Sequence, residues 1–279
     1  MTSTHLPSRP NEASRAASAL LSAFRLGAGQ TLAGWPVLVG RCIFYVILLI
    51  VLSALWDKVV AERLPGTLAG ELPAGGLAPY IGVTEWITLA LPAVHLKLED
   101  DIRSGGLEPH LLRPKSYLAQ TFSQSLGAAM VRLGALGVTA LVLLAVSGRE
   151  PPPWEAFAYI VPLGVLGVVV GILLYALAGL MAFWARRTLP FQLVIQKLMF
   201  LLGGLYAPVT LYPPLLEAVA KASPFAAHLY WPSIQAIVTS REGFLTGLAW
   251  QGFWIVVLSY ACLSLWRAGL AKVLREGGV

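Results

Sequence analysis

Cysteine is nearly missing from this chain: 279 residues hold two, Cys42 and Cys262, both inside apolar runs, which excludes a disulfide framework and a thiolate metal site. Charge is scarce too. Asp, Glu, Lys and Arg make up 12% of the residues, against roughly 25% in an ordinary soluble domain. A phosphate-cradling loop, G-x-x-x-x-G-K-[ST], is lacking: the one lysine followed by Ser or Thr is Lys115, and Pro114 stands where the loop glycine must be. ATP hydrolysis therefore has no site in this sequence. No Ser or Cys sits in a nucleophile elbow, and His95, His110 and His228 have no partner at metal-ligand spacing, so structural or solvated roles suit them better. The net charge of +6 is not gathered into a basic patch with interleaved aromatics, which argues against nucleic acid as a partner.

What the chain has is apolar length. Hydrophobic residues make up 57% of it, and about six runs approach the roughly 20 residues needed to cross some 30 Å of hydrocarbon. They lie near Val37 to Trp56, Leu77 to Leu96, Ser125 to Val146, Ala156 to Trp184, Phe191 to Val209 and Phe244 to Trp266. The fifth is the least regular, with Gln192, Gln196 and Lys197 in its first half. Ahead of them Ala17, Leu20, Leu21 and Phe24 form an apolar face between Arg15 and Arg25, which predicts an amphipathic helix lying in the membrane interface. A signal peptide fits less well, because the apolar part is brief and no convincing cleavage site follows. The division expected is an N-terminal cytoplasmic segment over 1–35 and a membrane domain over 36–279.

Placing the N-terminus inside puts most of the 20 Lys and Arg on inner flanks, among them Arg15, Lys97, Arg103, Arg186 and Arg267. The positive-inside rule then predicts both termini in the cytoplasm. Arg41, Arg132 and Lys197 lie within spans toward their inner ends, where they can snorkel. On the outer side, Pro213-Pro214 opens a short helix carrying Leu215, Leu216 and Val219, and Pro224 breaks it. Phe225, Leu229, Tyr230 and Trp231 then form an aromatic second piece, and the whole segment should lie in or dip into the outer interface. Glu85 is the one acid well inside an apolar run; with Gln196 it is a candidate pathway residue, set against a plainer reading as a protonated or interface-reaching glutamate hydrogen-bonded between helices. Gly167 and Gly171 stand in G-x-x-x-G spacing, which permits close packing within the chain or against another subunit.

One stretch gathers charge of both signs: KLEDDIRSGGLEPHLLRPKS, from Lys97 to Ser116. Leu98 and Ile102, then Leu107 and Leu111, stand four apart, the spacing of two short amphipathic helices. Gly105-Gly106 separates them and Arg113-Pro114 ends the second. Glu99 and Arg103 can pair one turn apart for only a few tenths of a kcal/mol, so this elbow should be held by a partner or by lipid. Glu99-Asp100-Asp101 invites a Mg²⁺ site, but adjacent positions on a helix point apart, and a solvated acidic face fits better.

The letters Ile102, Gly105, Leu111, Leu112, Arg113 and Pro114 resemble the second intracellular loop, I-x-x-G-x-x-x-x-x-L-L-R-P, of a subgroup of ABC-2 type permeases, the membrane halves of ATP-driven exporters. Pro208, Tyr212 and Pro213 similarly match the opening of that family's re-entrant cap before the last span. The resemblance implies an all-α polytopic membrane protein with about six transmembrane helices, an N-terminal interfacial helix and a cytoplasmic coupling helix. It further implies that Asp101, Ile102, Gly105, Gly106, Leu107, Leu111, Leu112, Arg113 and Pro114 dock into an ABC ATPase dimer, which would carry the ATP and Mg, this chain holding no cofactor of its own. A second permease, identical or related, the bacterial inner membrane and an amphipathic or apolar substrate belong to the same expectation. Two other readings stay open on the residues: a membrane-embedded Mg-dependent lipid-processing enzyme, and a scaffold that anchors partners without transport.

Overall fold

The structure, a computed structural model, describes residues 12–61, 77–104, 117–148 and 152–276. Among them the chain is all-α, with no strand. The helices are α1 (Glu12–Ala33), α2 (Trp35–Ala61), α3 (Ala78–Ala90), α4 (Val94–Arg103), α5 (Tyr117–Ser147), α6 (Trp154–Leu180), α7 (Leu189–Leu202), α8 (Pro214–Ala222), α9 (Pro224–His228), α10 (Tyr230–Ile234) and α11 (Arg241–Glu276). Helices α2, α5, α6 and α11 are long and apolar enough to cross a membrane. The elbow residues Gly105, Gly106, Leu107, Leu111, Leu112, Arg113 and Pro114 lie outside the described residues, as do residues 62–76 and 149–151.

Helix α1 forms where the apolar face was expected and continues to Ala33, packed along α5. Two glycines make the contact: a Cβ on Gly27 would overlap the Gln124 carbonyl, and one on Gly127 the Phe24 carbonyl. The backbones meet directly, the geometry small residues permit between membrane helices. Ser123 donates to the Leu20 carbonyl at 2.7 Å and Gln124 to Gln30 at 2.8 Å. Leu20, Leu21, Leu26 and Leu32 stay exposed on the other side, so an apolar face is left for lipid.

The run expected as one second span is broken. Helix α3 stops at Ala90 after 13 residues, about 20 Å of rise, and α4 starts anew at Val94. Pro92 cannot continue a helix through the preceding residues. The carbonyls bared at the break are taken by the two arginines expected to snorkel: Arg41 donates to Leu89 O at 2.8 Å and Arg132 to Leu91 O at 2.9 Å. Cations at the negative end of a helix are placed where its dipole favours them. The fifth run is short as well, with α7 ending at Leu202 after 14 residues, since Gly203 and Gly204 turn the chain and Gly204 has φ +67°. The turn is pinned to α3, for Tyr80 donates to Gly204 O at 2.6 Å and Thr84 to Leu205 O at 3.0 Å.

The segment expected on the outer side folds as its prolines predict, into α8, α9 and α10. It packs into the body of long helices. His228 lies against the middle of α6, its Nδ1 2.7 Å from Gly167 O, and a Cβ on Gly171 would stand 2.6 Å from the His228 ring. The G-x-x-x-G face of α6 is thus filled from within the chain. Gln251 of α11, fully buried, donates to Leu163 O at 2.8 Å and Ala227 O at 2.9 Å, tying the dipping segment to two long helices.

Candidate functional site

Helix α4 is the first half of the charged elbow. Val94, Leu98 and Ile102 form its buried stripe, packed on α6 and on the 3-10 turn Met181–Phe183. The approach is close because α6 carries Gly179, where a Cβ would stand 2.8 Å from His95 Cα and 2.9 Å from Leu98 Cβ. Burying three aliphatic side chains stabilises the docking by about 1.5–3 kcal/mol each. The Glu99–Arg103 pair, present at 3.3 Å, adds only tenths. The elbow was expected to need a partner or lipid to hold it; for α4 the chain's own core does so.

Its polar face clasps three neighbours. Glu99 accepts from both the hydroxyl and the backbone N–H of Thr188, the latter at 3.2 Å. Thr188 is the N-cap of α7, so a carboxylate sits at the positive end of that helix. These bonds, the hydroxyl's first, hold the Glu99 carboxyl below its ordinary range. Arg103 donates to Arg186 O, Asp101 accepts from Tyr117 at the start of α5, and Lys97 donates to Gln124 further along α5. Asp100 points to solvent. The three adjacent acids therefore go to α7, to solvent and to α5, with no shared focus for an ion.

Of the expected coupling residues inside the described chain, Asp101 faces α5 and Ile102 faces inward at 2% exposure; Ile102 positions the helix, and α4 offers outward Leu96, Lys97, Asp100 and Arg103. Glu85 is 4% exposed on α3, within electrostatic reach of Tyr45 and Tyr206. Gln196 is half-buried on α7, and among the described residues no hydrogen bond joins the two. Thr188 and Tyr117 were not singled out in the sequence, and Arg186 was noted there only as an inner-flank cation. Thr188-Leu189-Pro190 carried a usable signal, an N-cap residue followed by proline in the first turn.

A family model described as ABC-2 family transporter protein matches residues 81–277, from within α3 to the end of α11. A comparison with curated proteins gives no match. With that match over most of its length and four helices long and apolar enough to cross a membrane among the described residues, the chain belongs to the ABC-2 transporter family as a multi-pass membrane component of the kind that works with an ABC ATPase.

Proposed function

We propose that this chain is the permease subunit of an ATP-driven exporter, moving an amphipathic or apolar substrate across a bacterial inner membrane, with both termini cytoplasmic. The ATPase is a separate chain, working as a dimer that holds the ATP and Mg. A second permease, identical or related, completes the membrane part. Helix α4, together with residues 105–116, receives the motor's force. The observation that carries this reading is the clasp: a surface helix bonded to α5, to the cap of α7 and to the α6–α7 link. A push there reaches several elements at once, which suits a switch between two discrete packings.

The substrate class follows from the scarcity of fixed polar groups in the crossing helices, which suits apolar cargo. The test is purification in mild detergent with identification of every co-eluting chain, an ABC ATPase expected among them. Leu111→Asp and Asp100→Arg should each lower recovery of the ATPase about tenfold, the loss of roughly 1.4 kcal/mol at the interface, while the membrane protein is recovered in full. Undiminished recovery with both variants would remove the coupling role from the elbow.

A further inference from the structure

Between α1, α2, the α3–α4 break and α5 lies a cavity of about 320 Å³. Arg41, Arg132 and Lys97 line it, with Gln30, Thr31 and Gln124. Among the described residues no acidic side chain lines it. Among the described residues each cation has a neutral acceptor: Leu89 O for Arg41, Leu91 O for Arg132 and Gln124 for Lys97. Three like charges gathered around one cavity repel one another.

From these observations we infer that the cavity binds the phosphate of an anionic glycerophospholipid. A phosphate has acceptor oxygens enough for the two guanidiniums, the Lys97 ammonium and the amide donors, in the charge-assisted bonds that guanidinium and phosphate form best. The acyl chains have a place too. Val37 lines the cavity and is 67% exposed, and Leu32 and Trp35 beside it are exposed as well, so an apolar path leads from the polar cavity to the lipid-facing surface. A zwitterionic headgroup would bring its own cation against three others and be disfavoured. The site stands on α1, α2, α5 and the start of α4, and holds whether or not the chain exports a substrate.

The test is native mass spectrometry of the delipidated full chain in detergent, offered phosphatidylglycerol or phosphatidylcholine of the same acyl length. Phosphatidylglycerol should be retained about tenfold more tightly, and Lys97→Gln should cut that retention roughly three- to tenfold, one charge-assisted bond. Arg132 also caps α3, so its removal perturbs the fold; Ala128→Phe instead fills the cavity with every cation in place, and it should abolish the preference. Equal retention of the two lipids by the unaltered chain would overturn the site, as would a preference that survives both substitutions. Displacement of phosphatidylglycerol by an excess of inorganic phosphate, with no advantage for the acylated ligand, would make it a site for free anions and overturn the lipid assignment.

Discussion

At Gly127 one methyl group decides whether α1 stays on α5. A Cβ there overlaps the Phe24 carbonyl, and backbone cannot yield as a side-chain tip can, so Gly127→Ala should destabilise the chain by about 1–3 kcal/mol. Gly134, on the same helix with nothing near its Cβ position, is the control: alanine there should be neutral or gain up to about 1 kcal/mol. Thermal melts of both variants in one detergent check the pair, and equal melting would mean the helices do not touch as described. Glu99 acts at the same scale through its protonation. Its folded carboxyl titrates below the ordinary value of 4.5 because Thr188 donates to the charged form. The stabilisation is complete above that ordinary value and is lost as pH falls through the lowered one. The gap in melting temperature between the natural chain and Glu99→Gln should thus be steady at neutral pH and close in acid. A gap unchanged down to pH of about 3, well under the unperturbed carboxylate range, would detach Glu99 from Thr188.

Among the elements, the α3–α4 break depends on groups remote in sequence. Arg132→Met leaves the Leu91 carbonyl without its donor, a loss of about 1–3 kcal/mol, whereas Lys97→Met removes an exposed charge and should stay within about 0.5 kcal/mol. Chemical denaturation in detergent separates the two, and equal stabilities would mean the arginine does not cap the helix. This dependence also explains what was legible beforehand. The long crossing helices are written in composition alone, because a membrane core demands some 20 apolar residues in a row, and α8 to α10 are punctuated by prolines that act locally. The break after Ala90 was marked by Pro92, but its stability rests on arginines from α2 and α5, which no local window joins to it. The docking of α4 was half legible: Leu98 and Ile102 announce an apolar stripe, and only the position of Gly179 reveals that the stripe faces its own core. The hydrogen bonds of Thr188 and Tyr117 likewise need two distant segments to meet. Gly27 and Gly127 sit in small-residue stretches that carry no partner information until the helices are placed.

For the whole molecule, one end gathers the parts that would meet a motor. Helix α11 has 36 residues, about 54 Å, well over the roughly 30 Å of hydrocarbon, and its last turns reach the α4 end: Trp266 stacks on Tyr117 with ring centroids 5.1 Å apart, and Lys272 donates to Phe183 O at 2.9 Å. Arg103, Arg186 and Lys272 all lie there, the flank the positive-inside rule assigns to the cytoplasm. In a chain with Cys42 and Cys262 replaced, Ser104→Cys should be labelled by an impermeant thiol reagent only from the ATP side of vesicles, and Val219→Cys only from the opposite side; labelling of both from one side would sink the arrangement. If that end is the input, the clasp on α4 should matter to force and not to docking, because Glu99 and Asp101 bond inward, to α7 and α5, while Asp100 points out. Glu99→Ala combined with Asp101→Ala should therefore keep the ATPase attached at its usual stoichiometry yet cut substrate-stimulated ATP hydrolysis about tenfold, as an uncoupled transmission does when roughly 1.4 kcal/mol separating its two packings is lost. Loss of the ATPase from the complex would place these carboxylates at the interface instead, and full stimulation would show that the push travels through residues other than the clasp.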